Sequence, residues 1–258
     1  MRSLSVIIIT KNEQAHIAEC LESVSFADEI IVLDSGSSDD TCAIARRLGA
    51  QVYHTTYWPG FGQQKNKALS LATKEWVLSI DADERVPVAL ALEIQNALAN
   101  PTADAYTVAR MSCFGARWIK HSGWWPDRLV RLFKRDKAQF KDVTVHESVL
   151  VEGETQNLKG HLLHYPYHSL DALITKTNHY SSAAALQLHE RGKKIGLVGI
   201  IAKAFWTFVR IYIIRRGFLD GKEGVILAAV AAAGSFFRYS KLWFLNRNTN
   251  WKPQPPES

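Results

Sequence analysis

Cysteine is scarce in this chain of 258 residues: there are three, Cys20, Cys42 and Cys113. Their odd number and wide spacing, with no Cys-x-x-Cys pair, exclude a disulfide framework and a structural zinc site. They fit thiols kept in a reducing compartment. A signal-peptide pattern is also missing. The opening MRSLSVIIIT has one Arg and a short apolar stretch that runs straight into Lys11-Asn12-Glu13, which reads as a buried strand. No glycine-rich phosphate loop follows that strand, and Gly60-Phe61-Gly62 lacks a third glycine, so dinucleotide oxidoreductases and nucleotidyltransferases fit poorly. Compositional bias is absent too. At 47% hydrophobic and 22% charged, the chain is globular, neither disordered nor a coiled coil.

Positive charge is not lacking, but it is confined. Residues 1–190 hold 19 Lys and Arg against 22 Asp and Glu, whereas residues 191–247 hold 11 against 2. The net charge of +6 therefore belongs to the C-terminal quarter, where the cations are interspersed with aliphatic and aromatic residues. Interleaving with Leu, Ile and Phe favours an anionic membrane surface over nucleic acid as the partner of residues 191–247.

Residues 4–10 and 29–33 are β-branched runs suited to strands buried on both faces. Short strands at 51–54 and 75–80 alternate with helical stretches that begin near Asn12, at Asp39 as N-cap, at Gly62 and at Pro87. The alternation predicts βαβ units and a mostly parallel central sheet with helices on both faces. Ligands bind at the carboxyl ends of such strands, and Glu13, Asp34, Asp81 and Asp83 each follow a strand. After residue 103 the alternation gives way to strand candidates at 105–110, 129–134 and 158–165. From Leu170 the pattern is helical. The expected division is a catalytic domain 1–168 (nucleotide half 1–103, acceptor half 104–168), a helical region 169–247 and a tail 248–258.

Asp81-Ala82-Asp83 offers two hard oxygen ligands for Mg²⁺ or Mn²⁺. Asp34 can accept from a nucleobase N–H or merely cap the Ser35-Gly36-Ser37-Ser38 turn, and Thr10 and Asn12 have strand-end and cap roles open to them. Trp124 and Trp125 offer stacking faces for sugars, and Arg128 and Arg131 can bind anionic groups, unless they fill a strand edge. His146-Glu147 contains a candidate general base. His161, His164 and His168 are spaced like zinc ligands, but a strand places them on uneven faces, so packing or acceptor contact is the expected role. A phosphatase with an Asp-x-Asp nucleophile fails, because Glu84 and Arg85 stand where a Thr or Val is needed.

In combination, Thr10-Lys-Asn-Glu13, Asp34-Ser-Gly-Ser-Ser-Asp-Asp-Thr41 and Asp81-Ala-Asp-Glu84 resemble the donor-binding motifs of the inverting GT-A glycosyltransferases that include cellulose and chitin synthases. Arg128-Leu-Val-Arg-Leu-Phe133 followed by Val145-His-Glu147 is similar to the bacterial branch that builds lipopolysaccharide cores, above all its β-1,4-glucosyltransferases. The resemblance implies a GT-A fold and transfer of one hexose, glucose from UDP-glucose, with inversion onto a lipid-anchored inner-core heptose. The expected location is the cytoplasmic face of the inner membrane, with the chain peripherally attached. It implies donor contacts from Thr10, Asn12, Glu13, Asp34, Ser35, Gly36, Asp81 and Asp83, with Asp83 and Asp81 at the metal. Acceptor contacts fall to Trp124, Trp125, Arg128, Arg131 and His146, and the base is Glu147. Neither the processivity motif nor the channel of the polymerising relatives is found, so single transfer fits better. The alternatives are a transferase acting with another sugar on a different glycan, or a catalytically dead membrane platform.

Within residues 197–214, Lys203, Thr207 and Arg210 share one helix face. A spanning helix would bury both cations, so an in-plane amphipathic helix is expected, the alternative being an ordinary core helix packed on the catalytic domain. The apolar stretch 225–237 is too short to span.

Overall fold

The computed structural model describes residues 3–141, 148–167 and 169–247. These fall into two compact units divided at Ser112/Cys113, Trp125/Pro126 and Pro166/Tyr167. Residues 113–125 group with the C-terminal helices and not with the strands on either side of them in sequence. Their apolar side chains explain it: Phe114 and Ile119 are buried in a cluster with Leu173 and Leu227.

The first unit runs β1 (Leu4–Thr10), α1 (Ile17–Ser23), β2 (Glu29–Asp34), α2 (Thr41–Arg47), β3 (Gln51–His54), α3 (Phe61–Leu71), β4 (Trp76–Ser79), β5 (Glu84–Arg85), α4 (Val88–Ala99) and β6 (Ala105–Phe114). The short β7 (Arg117–Trp118) pairs with the end of β6. Then come β8 (Asp127–Lys134), β9 (Ala138–Phe140), β10 (Val149–Val151) and β11 (Thr155–His164). The sheet order is β3-β2-β1-β4-β8-β6-β11-β5.

The strands β3, β2, β1 and β4 are parallel, as the βαβ pattern requires. Beyond β4 the sheet is mixed: β8 is antiparallel to both β4 and β6, β11 runs parallel to β6, and β5 is antiparallel to β11. No helix separates β6 from β8, so no crossover is available to keep them parallel. The expected mostly parallel sheet thus holds for its first half only.

Alternation along β1 serves both faces. Val6 and Ile8 pack with Ile17, Leu21, Leu78 and Ile94, while Ile7 packs with Ile31, Ala68, Val77 and Phe133 on the other side. Register carries the chemistry: Thr10 sits opposite Asp34, and Asp34 opposite His54. His164 sits opposite both Glu84 and Ser112.

The second unit adds α5 (Leu170–Glu190), α6 (Leu197–Val209), one π turn at Arg210–Ile214 and α7 (Gly221–Arg247). Ser169 Oγ caps α5 by accepting from Ala172 N at 3.1 Å. Two stretches, Leu197–Ile214 and Gly217–Arg247, are long and apolar enough to cross a membrane by length and composition. The apolar run expected to be too short is therefore the middle of one long helix.

Leu78 is fully buried between α1 and α4, and truncation leaves a cavity there. Leu78→Ala is expected to cost about 2–5 kcal/mol, whereas Leu92→Ala, on the exposed face of α4, should stay within about 0.5 kcal/mol. Urea unfolding distinguishes them; equal losses would contradict the packing described.

Candidate active site

The loops after β1 and β2 are tied together by their own polar side chains. Asn12 takes a left-handed backbone (φ 57°), which lets its N–H donate to Ser37 Oγ at 2.8 Å while its Oδ1 accepts from Ser38 N at 2.8 Å. Glu13 N donates to Thr41 Oγ1 at 2.8 Å, and Asp39 accepts from Thr41 N and Gln14 N. The helix N-cap is Asp40, one residue later than expected, with Asp39 holding the turn before it.

Asp34 is 1% exposed. It accepts from Gly36 N and Ser37 N at 2.9 Å each, from Thr10 Oγ1 at 3.2 Å and from Ser37 Oγ. Burial raises its pKa, but the bonds from Ser37, Gly36 and Thr10 outweigh that and lower it. Four donors match the four acceptor sites of a carboxylate, so Asp34 builds the turn here and leaves no open acceptor for a base. Gly36 takes φ +83°, which the turn needs, and Ser35 Oγ accepts from Gln64 Nε2 at 2.9 Å. Cys42 and His54 bring ligand-type atoms within 4.8 Å of Asp34. The Cys42 thiol is pushed up by burial, so this group offers a neutral thiol and a saturated carboxylate, a poor donor set for a cation.

A cavity of about 350 Å³ opens at the end of β1, lined by Ile9, Thr10, Lys11, Glu13, Trp58 and Phe61. Trp58 and Phe61 meet edge to face at 4.9 Å. Neither aromatic was legible as a site residue; their signal is an exposed aromatic pair around Pro59-Gly60.

The Asp81-x-Asp83 motif divides its labour. Asp81 accepts from Lys65 Nζ at 2.8 Å and from Arg131 Nη2 at 2.7 Å, with Arg110 Nη1 at 3.8 Å. Burial opposes its ionisation, but Arg131 and Lys65 hold its carboxyl well below the ordinary range. Glu84, fully buried, accepts from Arg131 Nη2 at 2.5 Å and from Arg110 Nη1 at 3.4 Å. Burial and then the neighbouring Asp81 push it up, against Arg131 and Arg110. Arg131, expected at the acceptor, is instead a buried counter-ion, because two carboxylates under the rim need it. Asp81, expected at the metal, has both oxygens committed to cations.

Asp83 faces elsewhere. Its Oδ2 lies 3.3 Å from His164 Nε2, while His164 Nδ1 is 2.7 Å from Ser112 Oγ. With Nδ1–H donated to Ser112, the ring presents Nε2 beside the carboxylate as a second ligand atom. Two ligands on neighbouring vertices of an octahedral ion with bonds of about 2.1 Å lie about 3 Å apart, which this pair matches. His164 is a residue that the sequence reading sets aside; only the pairing of β11 with β5 reveals it.

Glu13, half-buried, has its pKa raised from 4.5 to about 7 by burial first and then by Asp83, Asp39 and Asp81, with Arg85 opposing. Burial and the neighbouring carboxylates thus disfavour the charge on Glu13, and the Asp83 carboxylate beside the His164 imidazole is a donor set that a divalent cation fits.

Arg128 is exposed on β8 and donates to Leu158 O at 3.1 Å. Trp124 and Trp125 belong to the second unit, where Trp124 packs near Tyr167 at 6.1 Å between ring centres. His146, Glu147 and His168 lie outside the described residues.

With divalent ions chelated, the protein should lose stability as pH rises from about 4.5 to about 7 through Glu13, because its proton is held more tightly in the folded state than in the unfolded one. Glu13→Gln should remove that component. Urea midpoints across this range report it; parallel profiles for the two proteins would contradict it.

The description Glycosyl transferase family 2 matches residues 5–153. Staphylococcus aureus TarS, residues 1–349, superposes with a TM-score of 0.50 at 16% identity, over 97% of this chain and 93% of that one, which shows the GT-A fold. An uncharacterised glycosyltransferase of Rickettsia typhi is 34% identical over 94% of this chain and 87% of its own length. The lipopolysaccharide core biosynthesis glycosyltransferase LpsC of Rhizobium meliloti is 32% identical over 93% of this chain and 92% of its own. With its acidic strand ends, its fold and relatives matched along nearly their whole length, the chain belongs to glycosyl transferase family 2.

Proposed function

We propose that this glycosyltransferase moves one hexose, glucose from UDP-glucose, with inversion onto a heptose of a lipid-anchored lipopolysaccharide core. The observation that carries the reading is the Asp83–His164 pair, with Glu13 joining it electrostatically to the cavity. The cavity lies where a doubly wound sheet binds ligands, and the aromatic edges of Trp58 and Phe61 suit a nucleoside. LpsC supports the core-polysaccharide acceptor.

In this reading Thr10, Asn12, Glu13, Ser35 and Gly36 border the nucleoside, and Asp34 holds their turn. Asp83 and His164 hold a divalent cation, which when bound neutralises charge on the departing diphosphate. Asp81 keeps Lys65 and Arg131 in place beneath them. Glu147 takes the proton of the acceptor hydroxyl as its oxygen bonds to the sugar C1. The bond from C1 to the diphosphate oxygen breaks on the opposite side, UDP leaves, and the configuration inverts. His146, Trp124, Trp125 and Arg128 face the acceptor.

The second unit supports attachment to a membrane surface. Val198, Phe205 and Trp206 are 81%, 69% and 53% exposed, with Leu197, Ile201, Ile213 and Ile214 beside them. An exposed apolar area of this kind requires a partner, and an acceptor carried by lipid supplies the reason for a membrane. The reading places the chain at the cytoplasmic face of the inner membrane.

Calorimetry with UDP-glucose should show binding that depends on Mn²⁺ and is lost in Asp83→Ala. A mixed imidazole and carboxylate donor set should favour Mn²⁺ over Mg²⁺. Glu147→Gln should keep donor affinity and lower turnover by about 10²-fold or more. Metal-independent UDP binding, or full turnover in Glu147→Gln, would refute the respective assignment.

A further inference from the structure

On α6 the apolar side chains Val198, Ile201, Phe205 and Trp206 are exposed, and on another side Thr207 and the following Arg210 border an open cavity of about 280 Å³. Its other walls are α5, which contributes Lys176 and Ser181, and α7, which contributes Ser235 and Arg238. Three cations from three elements thus surround one space, and no carboxylate lines it.

These charges lack compensation. Arg238 Nε is buried without a hydrogen-bond partner. Lys176 Nζ rests on the Tyr167 ring at 5.2 Å, a cation–π contact that leaves its charge unpaired. The neighbouring Lys241 is satisfied by Asn178, Ser181 and Ser182 and does not share the deficit. Lys176 and Arg210 are solvent-exposed, so water tempers the repulsion among the three cations, whereas the unmatched N–H at Arg238 Nε carries the larger cost. A tetrahedral oxyanion meets both needs, because guanidinium forks and hydroxyls match phosphate oxygens. A π turn, the single one among the described residues, lies at Arg210–Ile214, where Arg210 borders the cavity, a local distortion often found at binding sites.

We propose that this cavity is a binding site for a phosphate group, held by Arg210, Arg238 and Lys176. The apolar exterior of α6 makes the headgroup of an anionic lipid one source of that phosphate, and inorganic phosphate is the other. None of these residues belongs to the donor site, so the proposal stands apart from the transfer reaction.

The test uses the full chain, with vesicles containing phosphatidylglycerol, vesicles of phosphatidylcholine alone, and inorganic phosphate against chloride at matched ionic strength. Arg210→Gln/Arg238→Gln should weaken binding to the phosphatidylglycerol vesicles about tenfold. Lys193→Gln/Lys194→Gln, which removes the same charge from the loop before α6, should weaken it about threefold or less. If millimolar phosphate also raises the thermal midpoint of the wild type and not of the arginine variant, free phosphate suffices. If only vesicles discriminate, the ligand is the lipid headgroup. Arg238→Lys should retain most of the affinity. Should the double variant misfold by circular dichroism, Arg210→Gln alone, at an exposed position, should still show a loss larger than that of the lysine pair. Equal losses in the arginine and lysine variants would reduce the effect to surface charge and overturn the site, as would an arginine variant indistinguishable from wild type with both probes.

Discussion

The acidic rim depends on how one carboxylate is neutralised. Asp81 leaves β4 between Lys65 of α3 and Arg131 of β8, and Arg131 also holds Glu84, three residues further on. Such a buried network is costly to open: removing one partner from a buried pair typically costs about 3–5 kcal/mol, because the other charge is left stranded. The bonds between Asp81 N and Glu84 Oε2 and between Glu84 N and Asp81 O close the turn on itself. Asp83 lies inside that closed turn, and Tyr165 N donates to its carbonyl at 2.9 Å. The turn therefore has little freedom, and Asp83 is presented to His164 by structure already paid for in the core.

The two units solve opposite burial problems. In the first, the strands hide their apolar side chains on both faces and send acids to the strand ends, where burial first and then neighbouring carboxylates let Glu13 hold its proton near neutrality. In the second, Phe205 and Trp206 of α6 stay exposed while cations and hydroxyls of α5, α6 and α7 border one open cavity. Each arrangement leaves a charge deficit of definite sign. The acidic one calls for a cation and the basic one for an anion.

Sequence periodicity carried the first half of the fold well, since β-branched runs and helical spacing are local signals. The end of β3 at His54 and the start of α4 after Pro87 both fall where the pattern puts them. The mixed half was less legible, because pairing between strands distant in sequence, such as β11 with β6 and β5, has no local signature. His164 was seen and set aside for that reason, and the counter-ions Lys65 and Arg110 escaped notice. Arg131 was visible as a cation near Trp125, but only burial reveals that it faces Asp81 and Glu84. For α6, the shared face of Lys203, Thr207 and Arg210 was legible, whereas its neighbours were not: a helical wheel identifies a polar stripe and does not say that Thr207 and Arg210 border a cavity with α5 and α7.

The central claim is that Asp83 and His164 together form the seat of a divalent cation used with a nucleotide diphosphate. Pulsed electron paramagnetic resonance of Mn²⁺ bound with UDP tests it most directly, because a coordinated imidazole nitrogen leaves its own coupling in the spectrum. The account predicts that coupling in the wild type and its disappearance in His164→Ala. A Mn²⁺–UDP complex bound by the wild type without nitrogen coupling, or with the same spectrum in His164→Ala, would contradict it.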